Sequence, residues 1–250
     1  NIGEFHFNSG RMDDAQKAYS EAEKFPQSPA YGLAVYKKGW CLYNLGLFEN
    51  SMNQFLKVIE YARTPAAQKI GYARQLITEA QRDLVMAYSR VGNPDNAIRV
   101  FRQISPTNYM DLAGSLAEGY TAQGEYDKST RLLRKIMAEY KDGPQAHRAI
   151  ESQRGIFENA YRMGVKARVK EEEGRLIGLI ERLRPTAPKA WIDEEDPRVE
   201  ELLRVVSTTY HRESGVTRDE ATAALASQMY ADYLRLFPSA AERPSILINQ

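Results

Sequence analysis

The residues best suited to chemistry in this 250-residue chain are three histidines, His6, His147 and His211, and one cysteine, Cys41. A zinc site draws imidazole, thiolate or carboxylate ligands together at short helical or turn spacings. No His-x-x-x-His pair occurs, and the histidines lie far apart in sequence. A single cysteine excludes an internal disulfide framework and a thiolate metal cluster. Cys41 follows Trp40 inside a helical period and is expected to act as a buried small hydrophobe. No G-x-S-x-G elbow, phosphate loop or G-x-G-x-x-G fingerprint is present. Two acidic runs, Glu171-Glu172-Glu173 and Asp193 to Asp196, read first as solvated surface. The second run is also a candidate for a cation or a basic partner, although it lacks the alternating ligands and glycine of a calcium loop. The sequence therefore predicts no catalytic residue, metal or cofactor. The chemistry to look for is that of a surface.

Composition narrows the partners of such a surface. Lysine and arginine number 34 against 33 aspartates and glutamates, so no global field favours nucleic acid or an anionic membrane. Hydrophobic content of 43% and charged content of 27% suit one large globular domain or two ordinary ones. No run approaches the roughly 18 apolar residues that span a bilayer. The chain opens on Asn1 in mid-pattern and closes on SILINQ just after a proline, which predicts a segment of a longer protein.

The elements that must position this surface repeat along the chain. Turn glycines are followed five residues on by a small residue, four later by an aromatic or aliphatic one, and then by another apolar residue. The sets are Gly10, Ala15, Tyr19, Ala22; Gly46, Ser51, Phe55, Val58; Gly92, Ala97, Phe101, Ile104; and Gly124, Ser129, Leu133, Ile136. Gly164 opens a fifth with Val169 in the small slot, and a sixth keeps Ala226, Tyr230, Tyr233 and Pro238. Each set implies two amphipathic helices joined by a tight turn, as in Tyr36 to Val58. Asn93-Pro94-Asp95 supplies an N-cap acceptor and a proline at the first helical position. Pro26, Pro106, Pro144 and Pro238 fall between pairs, where helices should stop. No alternating strand is visible, and the fold class is all-α.

This pattern resembles the tetratricopeptide repeat over nearly the whole chain. Ile2-Gly3, Lys38-Gly39, Leu84-Val85, Leu116-Ala117 and Ile156-Phe157 occupy the family's leucine–glycine pair with varying fidelity. Tyr88 and Tyr120 match its first-helix tyrosine, and Phe48 and Tyr126 the aromatic after the turn. The resemblance implies an α-solenoid of about six antiparallel helix pairs forming a right-handed superhelix. Five pairs are expected over residues 1–183, the first of them truncated. A proline- and acid-rich break follows over 184–197, then a sixth pair and the start of a further repeat over 198–250. The surplus between Gly46 and Gly92 is expected to lengthen a helix near Thr64 to Arg74, and Ser214 to Asp219 to form a longer loop.

Repeats of this kind present a groove lined by their first helices, suited to a peptide or a partner helix. The register places Tyr36, Trp40, Tyr43 and Asn44 there from the second repeat and Arg82, Met86 and Arg90 from the third. The fourth contributes Glu118, and the fifth Arg154, Glu158, Tyr161 and Arg162. Aromatics and arginines are the side chains enriched at binding hot spots. Trp40 and Tyr43 either meet a partner or fill the space between adjacent first helices. With Glu118 and Glu158 among the arginines the groove is mixed in charge. The lysine–asparagine clamp of chaperone-binding members is not reproduced, since Tyr36 and Trp40 stand at the corresponding positions.

The stretches YKKGWCLYNLGLFENSMNQF, AQRDLVMAYSRVGNPDNAIRVF and YADYLRLFPSA are similar to bacterial envelope repeat proteins, above all those of the myxobacterial adventurous gliding machinery. That resemblance implies a periplasmic or outer-membrane-associated scaffold. The expected function is non-catalytic protein–protein interaction. The alternatives are a regulatory domain of a larger enzyme and a self-assembling structural solenoid.

Overall fold

The turn glycines do what the spacing requires. Gly10, Gly46, Gly124 and Gly164 adopt φ of 72°, 76°, 78° and 71°, a left-handed turn that L side chains resist. Each lets one helix end and its antiparallel partner begin within a few residues. Gly92 serves differently: its φ is −75°, but a Cβ there would lie 2.2 Å from the Tyr88 ring. It is small because the chain doubles back over that ring.

The computed structural model describes residues 2–141 and 143–238. The described elements are all helical. In order they are α1 (Ile2–Asn8), α2 (Met12–Ala22), α3 (Tyr31–Asn44), α4 (Phe48–Ala62), α5 (Pro65–Gln68), α6 (Ala73–Val91) and α7 (Ala97–Ile104). Then follow α8 (Tyr109–Ala122), α9 (Tyr126–Glu139), α10 (Ala149–Arg162), α11 (Lys166–Leu183), α12 (Lys189–Thr217) and α13 (Glu220–Leu236). Two compact units result, Asn1–Leu132 and Leu133–Gln250, the division falling inside α9.

In the first unit α1 packs on α2, α2 on α3, α3 on α4, α4 on α6, and α6 and α7 on α8. The small slots Ala15, Ser51, Ala97 and Ser129 are fully buried, as close helix approach demands. Ser51 Oγ donates to the Gly39 carbonyl at 2.8 Å. The buried Phe55 ring lies against Gly39, where a Cβ would come within 2.8 Å of it, and Tyr19 lies likewise against Gly3.

In the second unit α10 packs on α11 and α12, and α13 on α11 and α12. Phe157, Val169, Leu176, Leu203, Val206, Met229 and Tyr233 belong to one core. Here the fifth pair reverses the bulk of the second. Phe157 occupies the slot that glycine holds in α3, and Glu173 occupies the slot that Phe55 holds in α4. Phe157 is fully buried, so the large side chain has moved to the other helix.

Three sequence expectations are corrected. The break over 184–197 shrinks to a 3-10 turn at Arg184–Thr186, and α12 runs from Lys189 through the acids and Pro197. Pro197 lies inside α12, past its first turn, and removes one backbone hydrogen bond at an exposed position without ending the helix, and each of the four acids pairs with a cation. The surplus near Thr64 to Arg74 does not extend one helix. Thr64 takes an extended conformation before Pro65, ending α4 and capping the short α5 by accepting from Ala67 N. The expected loop at Ser214 to Asp219 is helix to Thr217. Only Arg218 (φ 57°) and Asp219, which caps α13 through Thr222 N, separate the helices. The helix start expected at Asn93-Pro94 is present as a 3-10 turn feeding α7. The further repeat expected near the end of the chain lies outside the described residues.

Candidate functional site

In the first unit a buried carboxylate gathers the predicted aromatics. Asp83 on α6 accepts from Tyr36 Oη at 2.5 Å and Trp40 Nε1 at 3.1 Å, both on α3, and from Arg82 Nε at 3.1 Å. Burial and the Asp83 hydrogen bond push the Tyr36 phenol up to about 12, so it stays a donor. Trp40 also stands edge-on to Tyr43 and Phe55, and Tyr43 to Phe48. Arg90 Nε reaches Tyr43 Oη at 3.4 Å, and Asn44 donates back to the Trp40 carbonyl at 2.8 Å. Tyr36, Trp40 and Tyr43 thus join α3 to α6 while remaining half-buried. Arg82 is 72% exposed in its side chain. Met86 is half-buried, and Arg90 and Glu118 are exposed.

In the second unit all four predicted residues line one groove. Arg154, Glu158, Tyr161 and Arg162 of α10 face Arg198, Glu201, Leu202 and Val205 of α12 across a cavity of 440 Å³. Arg154 Nε is anchored at 2.5 Å by Glu195, which is 2% exposed. Burial raises the Glu195 carboxyl above its ordinary range, and the Arg154 guanidinium opposes that rise. Arg162 pairs with Glu158 at 2.8 Å, Arg198 with Glu194 at 3.0 Å, and Tyr161 Oη reaches Thr209 Oγ1 at 3.4 Å. Between these fixed charges Leu202 is half-buried and Val205 is 37% exposed. The arrangement is an apolar strip between mixed ionic walls.

The α12 wall carries no repeat motif, and the acids at 193–196 read locally as solvated surface. A signal was there. Glu195 lies four residues before Val199 in a stripe continuing through Leu203, Val206 and Tyr210, all buried. The same test marks Asp83 in α6 and Glu173 in α11.

The candidate reactive groups take structural places. Cys41 is fully buried, and its burial pushes the thiol up to about 11, which suppresses the reactive thiolate. His147 stacks edge-on to Trp191, and His211 lies tilted against Tyr230. Among the described residues no three His, Cys, Asp or Glu side chains converge as a metal site, and no helix is long and apolar enough to cross a membrane.

Paired antiparallel helices with glycine turns, small crossing residues and a mixed-charge groove define a helical-repeat interaction protein. The particular repeat is named by comparison: residues 34–65, spanning α3 and α4, match the family model of the tetratricopeptide repeat. The chain therefore carries a tetratricopeptide repeat, which supports a role as a protein-interaction scaffold. No curated protein matches the chain.

Proposed function

We propose that the chain is a non-catalytic scaffold whose α10–α12 groove receives a segment of a partner protein. The observation that carries this reading is the apolar Leu202–Val205 strip, half-buried at Leu202 and exposed at Val205, between ion pairs that are already formed. The Arg154–Glu195 pair holds one wall in place, so little side-chain ordering remains to oppose binding. In the first unit Arg82 and Arg90 offer exposed cations beside half-buried aromatics, a secondary contact surface.

The finer reading makes this scaffold part of a bacterial envelope or gliding complex, periplasmic or associated with the outer membrane. It rests on the similarity of the three stretches beginning at Tyr36, Ala80 and Tyr230. Fractionation of the source cells into periplasm, membrane and cytoplasm tests it; recovery in the cytoplasm alone would refute it.

The groove is tested by capture. The immobilised chain is expected to retain specific proteins from a lysate, and Leu202→Glu and Val205→Glu to reduce that retention about tenfold or more. Val205→Glu, at an exposed position, should keep helical content and melting temperature, whereas Leu202→Glu, half-buried against the core, should lower the melting temperature modestly. Undiminished capture by both variants would remove the groove from the account.

A further inference from the structure

The second unit holds another cavity, of 510 Å³, on the side formed by α9 and α11. Among the described residues four cations line it, Arg134, Lys141, Arg175 and Arg182, and no acid does. Two of them are held from beneath. Glu172, 5% exposed, accepts from Arg134 Nη2 at 2.9 Å, Arg175 Nη1 at 2.8 Å and Gln153 Nε2 at 2.9 Å. Arg175 also pairs with Glu171 at 2.6 Å. Among the described residues Lys141 and Arg182 have no ion-pair partner, so the rim keeps an excess of positive charge.

The floor is apolar and low. Met137, Leu179 and Leu183 border it, and Gly174 and Gly178 lie one helical turn apart on its α11 side. A Cβ at either glycine would meet nothing within 4 Å, so internal packing requires neither. Glycine on an exposed helix face weakens the helix relative to alanine. Here it leaves the α11 backbone open to close approach, and Arg175 and Arg182 stand two turns apart, about 10 Å along the axis.

We propose that this cleft is a second docking site, occupied by an acidic amphipathic helix of a partner protein. The helix lays an apolar side chain over the Gly174–Gly178 gap and sets carboxylates two turns apart against Arg175 and Arg182. A third carboxylate reaches Lys141. Charge complementarity selects the occupant: a basic or neutral helix leaves Lys141 and Arg182 unpaired, whereas an acidic one completes them. The site is separate from the α10–α12 groove and does not depend on it.

The test uses the whole chain and a fluorescein-labelled synthetic helix with leucines on one face and glutamates on its flanks. Its counterpart has every glutamate replaced by glutamine. Fluorescence anisotropy is expected to show saturable binding of the glutamate peptide and at least tenfold weaker binding of the glutamine peptide. Lys141→Glu with Arg182→Glu is expected to weaken binding at least tenfold. Gly178→Leu fills the gap and should do the same while keeping or raising the melting temperature, which separates blockade from unfolding. Leu202→Glu, in the other groove, should leave binding unchanged. The proposal is overturned by absent binding, by equal binding of the two peptides, or by indifference to Gly178→Leu. It is also overturned if phosphatidylserine vesicles sediment the chain and the peptide does not bind, or if Leu202→Glu weakens the peptide equally.

Discussion

Asp83, Glu173 and Glu195 are buried acids in phase with the apolar stripes of their helices, and their partners decide what each does. Asp83 accepts from Tyr36, Trp40 and Arg82 and ties α3 to α6. Removing it in Asp83→Ala leaves the phenol and indole donors without their acceptor, at a cost of about 2 kcal/mol. Urea unfolding at neutral pH checks this, and an unchanged midpoint would remove Asp83 as a tie. Glu173 has the opposite surroundings. Among the described residues its Oε1 has no hydrogen-bond partner, and burial, followed by the Asp232 carboxylate, pushes the group up to about 8 from an ordinary 4.5, with Lys170 opposing. The folded chain thus holds this proton more tightly than the unfolded chain. Its contribution is complete below about 4.5 and is lost as pH rises through about 8, at no more than about 1.4 kcal/mol per pH unit. Melting temperature should therefore fall between pH 5 and pH 8.5, and Glu173→Gln should reduce the fall. Equal slopes for variant and parent would show that Glu173 is not the group responsible. The acidic runs holding Glu173 and Glu195 read as solvated surface, yet both acids fall in phase with a stripe, as Val169, Glu173, Leu176 and Ile180 show by their helical spacing. Their partners were not legible, because Arg154 finds Glu195 only when α12 lies beside α10.

At the scale of the elements, most of the fold was written in local signals. The turn glycines, the small slots and the prolines between pairs each answer to backbone geometry that operates within a few residues. What the pattern misjudged were stretches where two local rules compete. In 189–197 proline and clustered acids argue for a break, but the stripe from Glu195 to Tyr210 buries one face, Asp193 and Glu194 find cations one turn away, and Glu195 finds Arg154 on α10. Burial won. At Thr64-Pro65 the competition ran the other way: conformational restriction before proline ended α4 despite helix-favouring alanines and glutamines downstream. The register itself can be tested at Ala97, which is fully buried at the start of α7. Ala97→Leu should cost about 1–3 kcal/mol through overpacking, measured by thermal or denaturant unfolding. No loss would mean that helix pairs do not cross there. Gly39→Ala is expected to destabilise for the same reason, because its Cβ would lie 2.8 Å from the buried Phe55 ring.

On the scale of the whole molecule, near-equal numbers of acids and bases leave recognition to local surfaces and not to a long-range field. On the proposed reading each unit offers a surface at the positions the repeat register indicates, and the second unit adds the α9–α11 cleft. In the first unit the aromatics are engaged with Asp83, which leaves Arg82 and Arg90 as the outward-facing groups. In the second, Arg154, Glu158, Tyr161 and Arg162 meet α12 residues that no motif announced, and the apolar strip of Leu202 and Val205 lies open between them. The most direct test of the scaffold reading is photocrosslinking in living cells from a benzoylphenylalanine placed at position 202. Position 216, where Val216 is 82% exposed on α12 outside the groove, serves as the control. The account predicts a discrete crosslinked protein partner from 202 and none from 216. Identical products from both positions, or none from 202 while the chain remains folded, would contradict it.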